Sequence, residues 1–314
     1  MNRIEFLKNR LKNKEKILLA GACGTEIQRR GIKTELPLWS ASALITNPEI
    51  VSRVHEDYIK AGSDIITTNT FRTNRRTLQK INKGDESEKL TKLAVKLALK
   101  ARIESGRKEV LIGGSIAPLE DCYEPKLVPS DKELWQEHSE QAENLAKNGV
   151  DFLFIETINT IREAKIAFKA CKKTGLEVAI SFVCNKNGNL LSGESIEAAY
   201  RAISPLAPLA ILTNCAPPQI AEISLYKLLK ISKIPIVFYA NGDGMPHDEL
   251  GWKFLKEKKP EDYLKFAQKW LKDGASIIGG CCGTNPEYIK LIRKYMNRNQ
   301  CNNHPQHHYA LSCI

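Results

Sequence analysis

Three cysteines stand out by their neighbours. Cys281 and Cys282 are adjacent within Gly279-Gly280-Cys281-Cys282-Gly283-Thr284, and Cys215 follows an asparagine in Thr213-Asn214-Cys215-Ala216-Pro217-Pro218. The ordinary reading of any one cysteine is a small buried hydrophobe. Flanking glycines weaken that reading, because they let backbone approach closely and clear competing side chains from around two thiols. Three thiolates with an open fourth position make a catalytic Zn²⁺ site, and so soft a ligand set disfavours Mg²⁺ and Ca²⁺. Spacing alone leaves the structural and the metal-binding readings level.

The metal reading requires elements that bring residue 215 to residues 281 and 282. Short β-type runs alternate with longer helical patterns along nearly the whole chain, the signature of βα units on a parallel sheet. The expected strands are 17–20, 64–68, 110–114, 151–156, 177–182, 209–213, 234–239 and 275–280. The expected helices cover 47–61, 88–105, 131–148, 161–173, 195–203, 219–231, 261–272 and 286–298. Asn47-Pro48 and Asn285-Pro286 read as helix starts, with a side-chain oxygen for the first amides and proline where no N–H is needed. Gly62, Gly149, Gly175 and Gly274 read as helix stops.

Eight such units predict a single (β/α)8 TIM barrel spanning residues 1–298, with an open doubly wound sheet as the alternative. In a barrel, strand C-terminal ends carry the chemistry. Those ends hold Cys23, Thr68-Asn69, Ser115, Glu156, Asn214-Cys215, Asn241 and Cys281-Cys282. The sixth and eighth strands are separated by one strand, so Cys215 can meet the pair across the mouth. Long loops at 119–130 and 241–259 emerge on the same face. Residues 299–314, with Cys301, His304, His307, His308 and Cys313, read as a disordered C-terminal tail despite their metal-like content.

Composition narrows the classes. The 314 residues are 42% hydrophobic and 26% charged, ordinary for a globular chain with a sizeable core. No apolar run approaches a membrane span, and Met1-Asn2-Arg3-Ile4-Glu5 leads into a charged segment, so we expect a soluble, non-exported, cytoplasmic protein. The net charge of +11 raises the question of an anionic partner, yet the lysines are scattered and aromatics are only 7%, so no nucleic-acid surface is expected. Nine cysteines, an odd number with two adjacent, suit thiolate chemistry in a reducing compartment better than disulfides.

The motifs also carry a family resemblance. The double-cysteine and Asn-Cys motifs resemble those of the zinc-dependent homocysteine S-methyltransferases, joined by Gly21-Ala22-Cys23-Gly24-Thr25-Glu26, Leu38-Trp39-Ser40, Thr67-Thr68-Asn69-Thr70-Phe71 and Phe154-Ile155-Glu156-Thr157. The likeness runs in order from about residue 18 to residue 292. It implies a (β/α)8 barrel with one zinc on Cys215, Cys281 and Cys282, and methionine formation from homocysteine and a small onium donor such as S-methylmethionine or S-adenosylmethionine. It further implies that Glu156 reads the amino group of homocysteine, that backbone at Ala22 and Cys23 receives its carboxylate, and that Asn69 belongs to the substrate site.

Two departures bear on substrate. The family opening reads Asp-Gly where this chain has Ala20-Gly21, and the missing charge-assisted hydrogen bond is worth about 1.5–3 kcal/mol. A different thiol acceptor is therefore the alternative, ahead of a basic binding module with structural cysteines. The segment Phe71-Arg72-Thr73-Asn74 replaces a glutamine-containing version, and Arg72 either faces a donor carboxylate or is solvated. Trp135, Tyr123 and Phe182 are aromatic candidates for onium contact or for core.

Overall fold

The computed structural model describes residues 2–247 and 249–303, with side chains to residue 298. Its strands in chain order are β1 (Ile17–Leu18), β2 (Ile65–Thr67), β3 (Leu111–Ile116), β4 (Phe152–Ile158), β5 (Val178–Val183), β6 (Ala210–Asn214), β7 (Ile236–Ala240), β8 (Met245–His247), β9 (Gly251–Lys253) and β10 (Ile277–Gly280). Eight of them form one parallel sheet in the order β1-β10-β7-β6-β5-β4-β3-β2. A parallel bridge between Leu19 and Ile65 sets β1 beside β2 and joins the two ends. The sheet is therefore a nearly closed (β/α)8 barrel, and the open-sheet alternative falls.

Period-two alternation divides the core. Ile17, Leu19, Val237, Tyr239 and Ile277 pack inside the barrel. Leu18, Ile236, Phe238 and Ile278 face the helices. All eight expected strands and the eight helices between and after them are present, with ends shifted by a few residues. Two of the glycine stops, Gly62 and Gly149, lead two residues on to an aspartate with a structural task. Asp64 Oδ2 accepts the Leu18 amide at 2.8 Å and Asp151 Oδ2 accepts the Ile112 amide at 2.7 Å, so each aspartate ties down the neighbouring strand. Arg293 and Arg102 hold these carboxylates at 2.5 and 2.6 Å.

Some expectations need correction. Asn285 caps its helix, its Oδ1 accepting the Glu287 amide at 2.9 Å, but the Asn47 side chain makes no cap bond. Asn47 sits at φ −147°, ψ 59°, and only its backbone carbonyl takes the Ile50 amide. The last helix runs Pro286–Asn303, past the expected end at residue 298; His304, His307, His308 and Cys313 lie outside the described residues. A helix absent from the sequence reading, Arg3–Lys12, puts Leu7 into the bottom of the barrel interior at 1% exposure.

The loop after β7 is ordered by its own hairpin, β8 against β9. Trp252 of that hairpin is buried, its indole donating to the Asp243 carbonyl at 3.0 Å, while Gln28 donates to the Trp252 carbonyl at 2.9 Å. The hairpin thereby covers one side of the barrel mouth.

Candidate active site

Cys215 leaves β6, and Cys281 and Cys282 leave β10, with β7 between. Backbone bonds lace the three exits together: the Cys281 amide donates to Ala240, the Gly242 amide to Cys282, and the Asn241 amide to Ala216. Gly283 holds φ +81°, and a Cβ there would lie 2.1 Å from the Asp243 carbonyl oxygen, so only glycine permits this close crossing. Cys215 itself takes φ +56°, a left-handed conformation costing a non-glycine residue about 1–2 kcal/mol. In that conformation its thiol meets the other two.

The result is a cluster in which all three sulfurs lie within 4.8 Å of one another. Cys215 Sγ is 3.2 Å from Cys281 Sγ and 3.8 Å from Cys282 Sγ, and all three are free. Zn–S bonds of about 2.3 Å at tetrahedral angles place ligand sulfurs about 3.8 Å apart, so the donor set fits zinc in both chemistry and spacing. The close sulfur contacts among the three favour a thiolate at Cys281 and push the Cys215 thiol up.

Around the cluster lies a cavity of about 190 Å³ at the barrel mouth. Glu156, Ala22, Cys23 and Asn69 all line it with the three cysteines. Glu156 Oε1 accepts the Ser115 hydroxyl at 2.5 Å and Oε2 accepts the Tyr239 hydroxyl at 3.0 Å. Its carboxylate reaches only the cavity and is otherwise enclosed by protein. That burial pushes its pKa up to about 7, against the lowering effect of the Ser115 bond.

The Ala22 amide donates to Thr284 Oγ1 at 3.2 Å, and its carbonyl accepts Tyr58 Oη at 2.9 Å. Cys23 and Gly24 open the following helix, where first-turn amides have no intrahelical partner. The Cys23 thiol, pushed up to about 12 by burial, is a packing group. Asn69 bonds Ser40 twice, accepting from Oγ at 2.6 Å and donating to the carbonyl at 2.9 Å, and so holds the Trp39–Ala41 turn at the cavity.

Of the aromatic candidates only Tyr123 lines the cavity. Phe182 is core, and Trp135 lies on the surface beneath Lys173. Tyr239 and Thr157 were not among the expected site residues. Tyr239 shares the inward period of Val237, which is a readable signal. The φ of +63° at Thr157, which lets it accept from Asn214 at 2.9 Å, leaves no trace in residue type.

A family profile described as homocysteine S-methyltransferase matches residues 17–296. The chain belongs to the homocysteine S-methyltransferase family. This S-methyltransferase is 32% identical to homocysteine S-methyltransferase 1 of Arabidopsis thaliana, over 88% of its own length and 92% of the relative's. It is 30% identical to the selenocysteine methyltransferase of Astragalus bisulcatus, over 90% and 93%. Among solved structures it resembles the metallated homocysteine methyltransferase MmuM of Escherichia coli, with a TM-score of 0.79, 25% identity, and coverage of 94% and 100%. No helix among its described residues is long and apolar enough to cross a membrane.

Proposed function

We propose that this enzyme methylates the thiol of homocysteine to methionine at a zinc centre held by Cys215, Cys281 and Cys282, taking the methyl group from a small onium donor such as S-methylmethionine or S-adenosylmethionine. The observation that carries the reading is the convergence of three free thiols from β6 and β10 within 4.8 Å, in a cavity that also holds Glu156. Zinc held on those thiolates would supply the positive charge that lets a substrate thiol shed its proton at neutral pH.

The chain's own residues bind and orient. Glu156, fixed by Ser115 and Tyr239, receives the ammonium group of the acceptor, and a cation there draws its carboxylate into the ionised form. Because the Ala22 amide is engaged by Thr284, the amides of Cys23 and Gly24, rather than those of Ala22 and Cys23, receive the acceptor carboxylate. Ser40 and Asn69 hold the Trp39 turn against the cavity, and the β8–β9 hairpin limits water. Transfer is a displacement. The acceptor sulfur's lone pair attacks the donor methyl carbon, the donor C–S bond breaks, and its electron pair stays on the donor sulfur, so a neutral thioether departs. Holding both partners in line lowers the barrier by removing the entropy cost of bringing them together.

A second reading keeps the zinc and changes the acceptor. Ala20, where the family opening has aspartate, lines the cavity, and one relative methylates selenocysteine by its name. The free cysteines suit a cytoplasmic setting for either reading. An acceptor screen decides between them: homocysteine, cysteine and selenocysteine are offered with S-methylmethionine or S-adenosylmethionine, and kcat/KM is compared. Homocysteine leading by an order of magnitude or more sustains the first reading, and any other order sustains the second.

A further inference from the structure

Arg72 follows β2 and lines the same cavity as the sulfur cluster. Its guanidinium stacks over the Phe71 ring at 5.3 Å, and Nη1 donates to the Glu120 carbonyl at 3.2 Å. Nε is buried and has no partner. No carboxylate forms an ion pair with Arg72 among the described residues, although acids are close in sequence and space. Glu120 is taken by Arg76 at 3.3 Å and Lys80 at 2.6 Å, and Asp121 Oδ1 accepts the Tyr123 amide at 2.9 Å. Its neighbours differ sharply. Arg75 pairs with Asp85 and Glu140, and Arg76 also pairs with Glu133 and Glu137.

The wall of this cavity thus carries a rigidly held cation whose counter-ion is missing. A guanidinium in such a place is costly until an anion arrives, and its planar fork suits a carboxylate. Elsewhere the cavity offers sulfur and carboxylate groups, which attract a cationic methyl-bearing centre, together with aromatic faces from Trp39 and Tyr123. A donor that is only a cation matches half of this surface and is repelled by the other half. We propose that Arg72 is the receptor for the carboxylate of the methyl donor. This rests on the methyl-transfer reading above and adds to it the residue that selects for a donor carrying that group.

Equilibrium binding to the full-length zinc-loaded protein, without acceptor so that nothing turns over, tests the assignment. Two probe pairs differ by a carboxylate: S-methylmethionine with its decarboxylated amine, and glycine betaine with choline. The wild type is expected to prefer the carboxylate member of at least one pair by about 10- to 100-fold. Arg72→Gln abolishes that preference, Arg72→Lys keeps part of it, and homocysteine affinity and zinc content stay unchanged. The pair that discriminates tells a sulfonium amino acid from a betaine. Equal binding within both pairs by the wild type overturns the proposal, as does a preference that survives Arg72→Gln or a loss confined to homocysteine. A preference that tracks Arg72 in a protein that makes no methionine upholds the receptor and rejects homocysteine as acceptor.

Discussion

The side-chain amide of Asn214 donates to the Cys281 sulfur at 3.8 Å, reaching from the end of β6 to the residue after β10. The same amide bonds Thr157 Oγ1, and its oxygen accepts the Ser181 hydroxyl at 2.6 Å, so neighbours on β4 and β5 set its orientation. Asn214 thereby acts on the thiolate through a fixed dipole. Asn214→Ala is expected to weaken zinc binding by about 10- to 100-fold, the range seen when a group orienting a metal ligand is removed. Competition with a chelator of known affinity measures the change, and unaltered affinity refutes the role.

Glu156 titrates near pH 7 because it is buried, so the empty site holds its proton at acid pH. Homocysteine KM is expected to fall as pH rises toward 7. Glu156→Gln removes that limb and raises KM by about 10- to 100-fold, since a charge-assisted bond becomes a neutral one. Tyr239→Phe removes a bond that favours the carboxylate, and moves the limb to higher pH. The stability consequence has the opposite sense from a salt-bridged acid. Between its ordinary value of 4.5 and about 7 the folded chain keeps a proton that the unfolded chain has lost, so stability declines as pH rises through that window. Denaturant titrations of wild type and Glu156→Gln across that range check the sign.

Leu7 closes the barrel interior from below, at the end opposite the cysteines. Leu7→Ala leaves a cavity among Ile17, Leu111 and Ile277, and is expected to cost about 2–5 kcal/mol of stability. Zinc content at 25 °C should be unaffected, because the site hangs from the other ends of the strands. Denaturant unfolding together with metal analysis separates the two effects.

The parallel strands were legible because burial on both faces makes each a nearly continuous apolar run, as in Val178–Val183, broken only by Ser181. The Arg3–Lys12 helix was not, although Ile4, Leu7 and Leu11 carry a helical period, because four basic residues in the segment make it read as solvated surface. Asn47 and Asn285 share one motif, yet only the second caps its helix; Asn47 sits at φ −147°, ψ 59°, outside the extended conformation usual at a capping residue. At the site, the sulfur triad was readable from residue type and strand order. The Tyr239 bond to Glu156 and the missing counter-ion of Arg72 were not. Both depend on side-chain directions, and in the second case on Arg76 and Lys80 having claimed Glu120 first.

The central claim is that the three thiols hold the metal on which methyl transfer depends. Zinc content and methionine formation from homocysteine, measured together for the wild type and Cys281→Ser, test it most directly. The account predicts one tightly bound zinc per wild-type chain, lost in the variant along with activity. Methionine formation that persists in Cys281→Ser, or in wild-type protein after exhaustive removal of zinc, would contradict it.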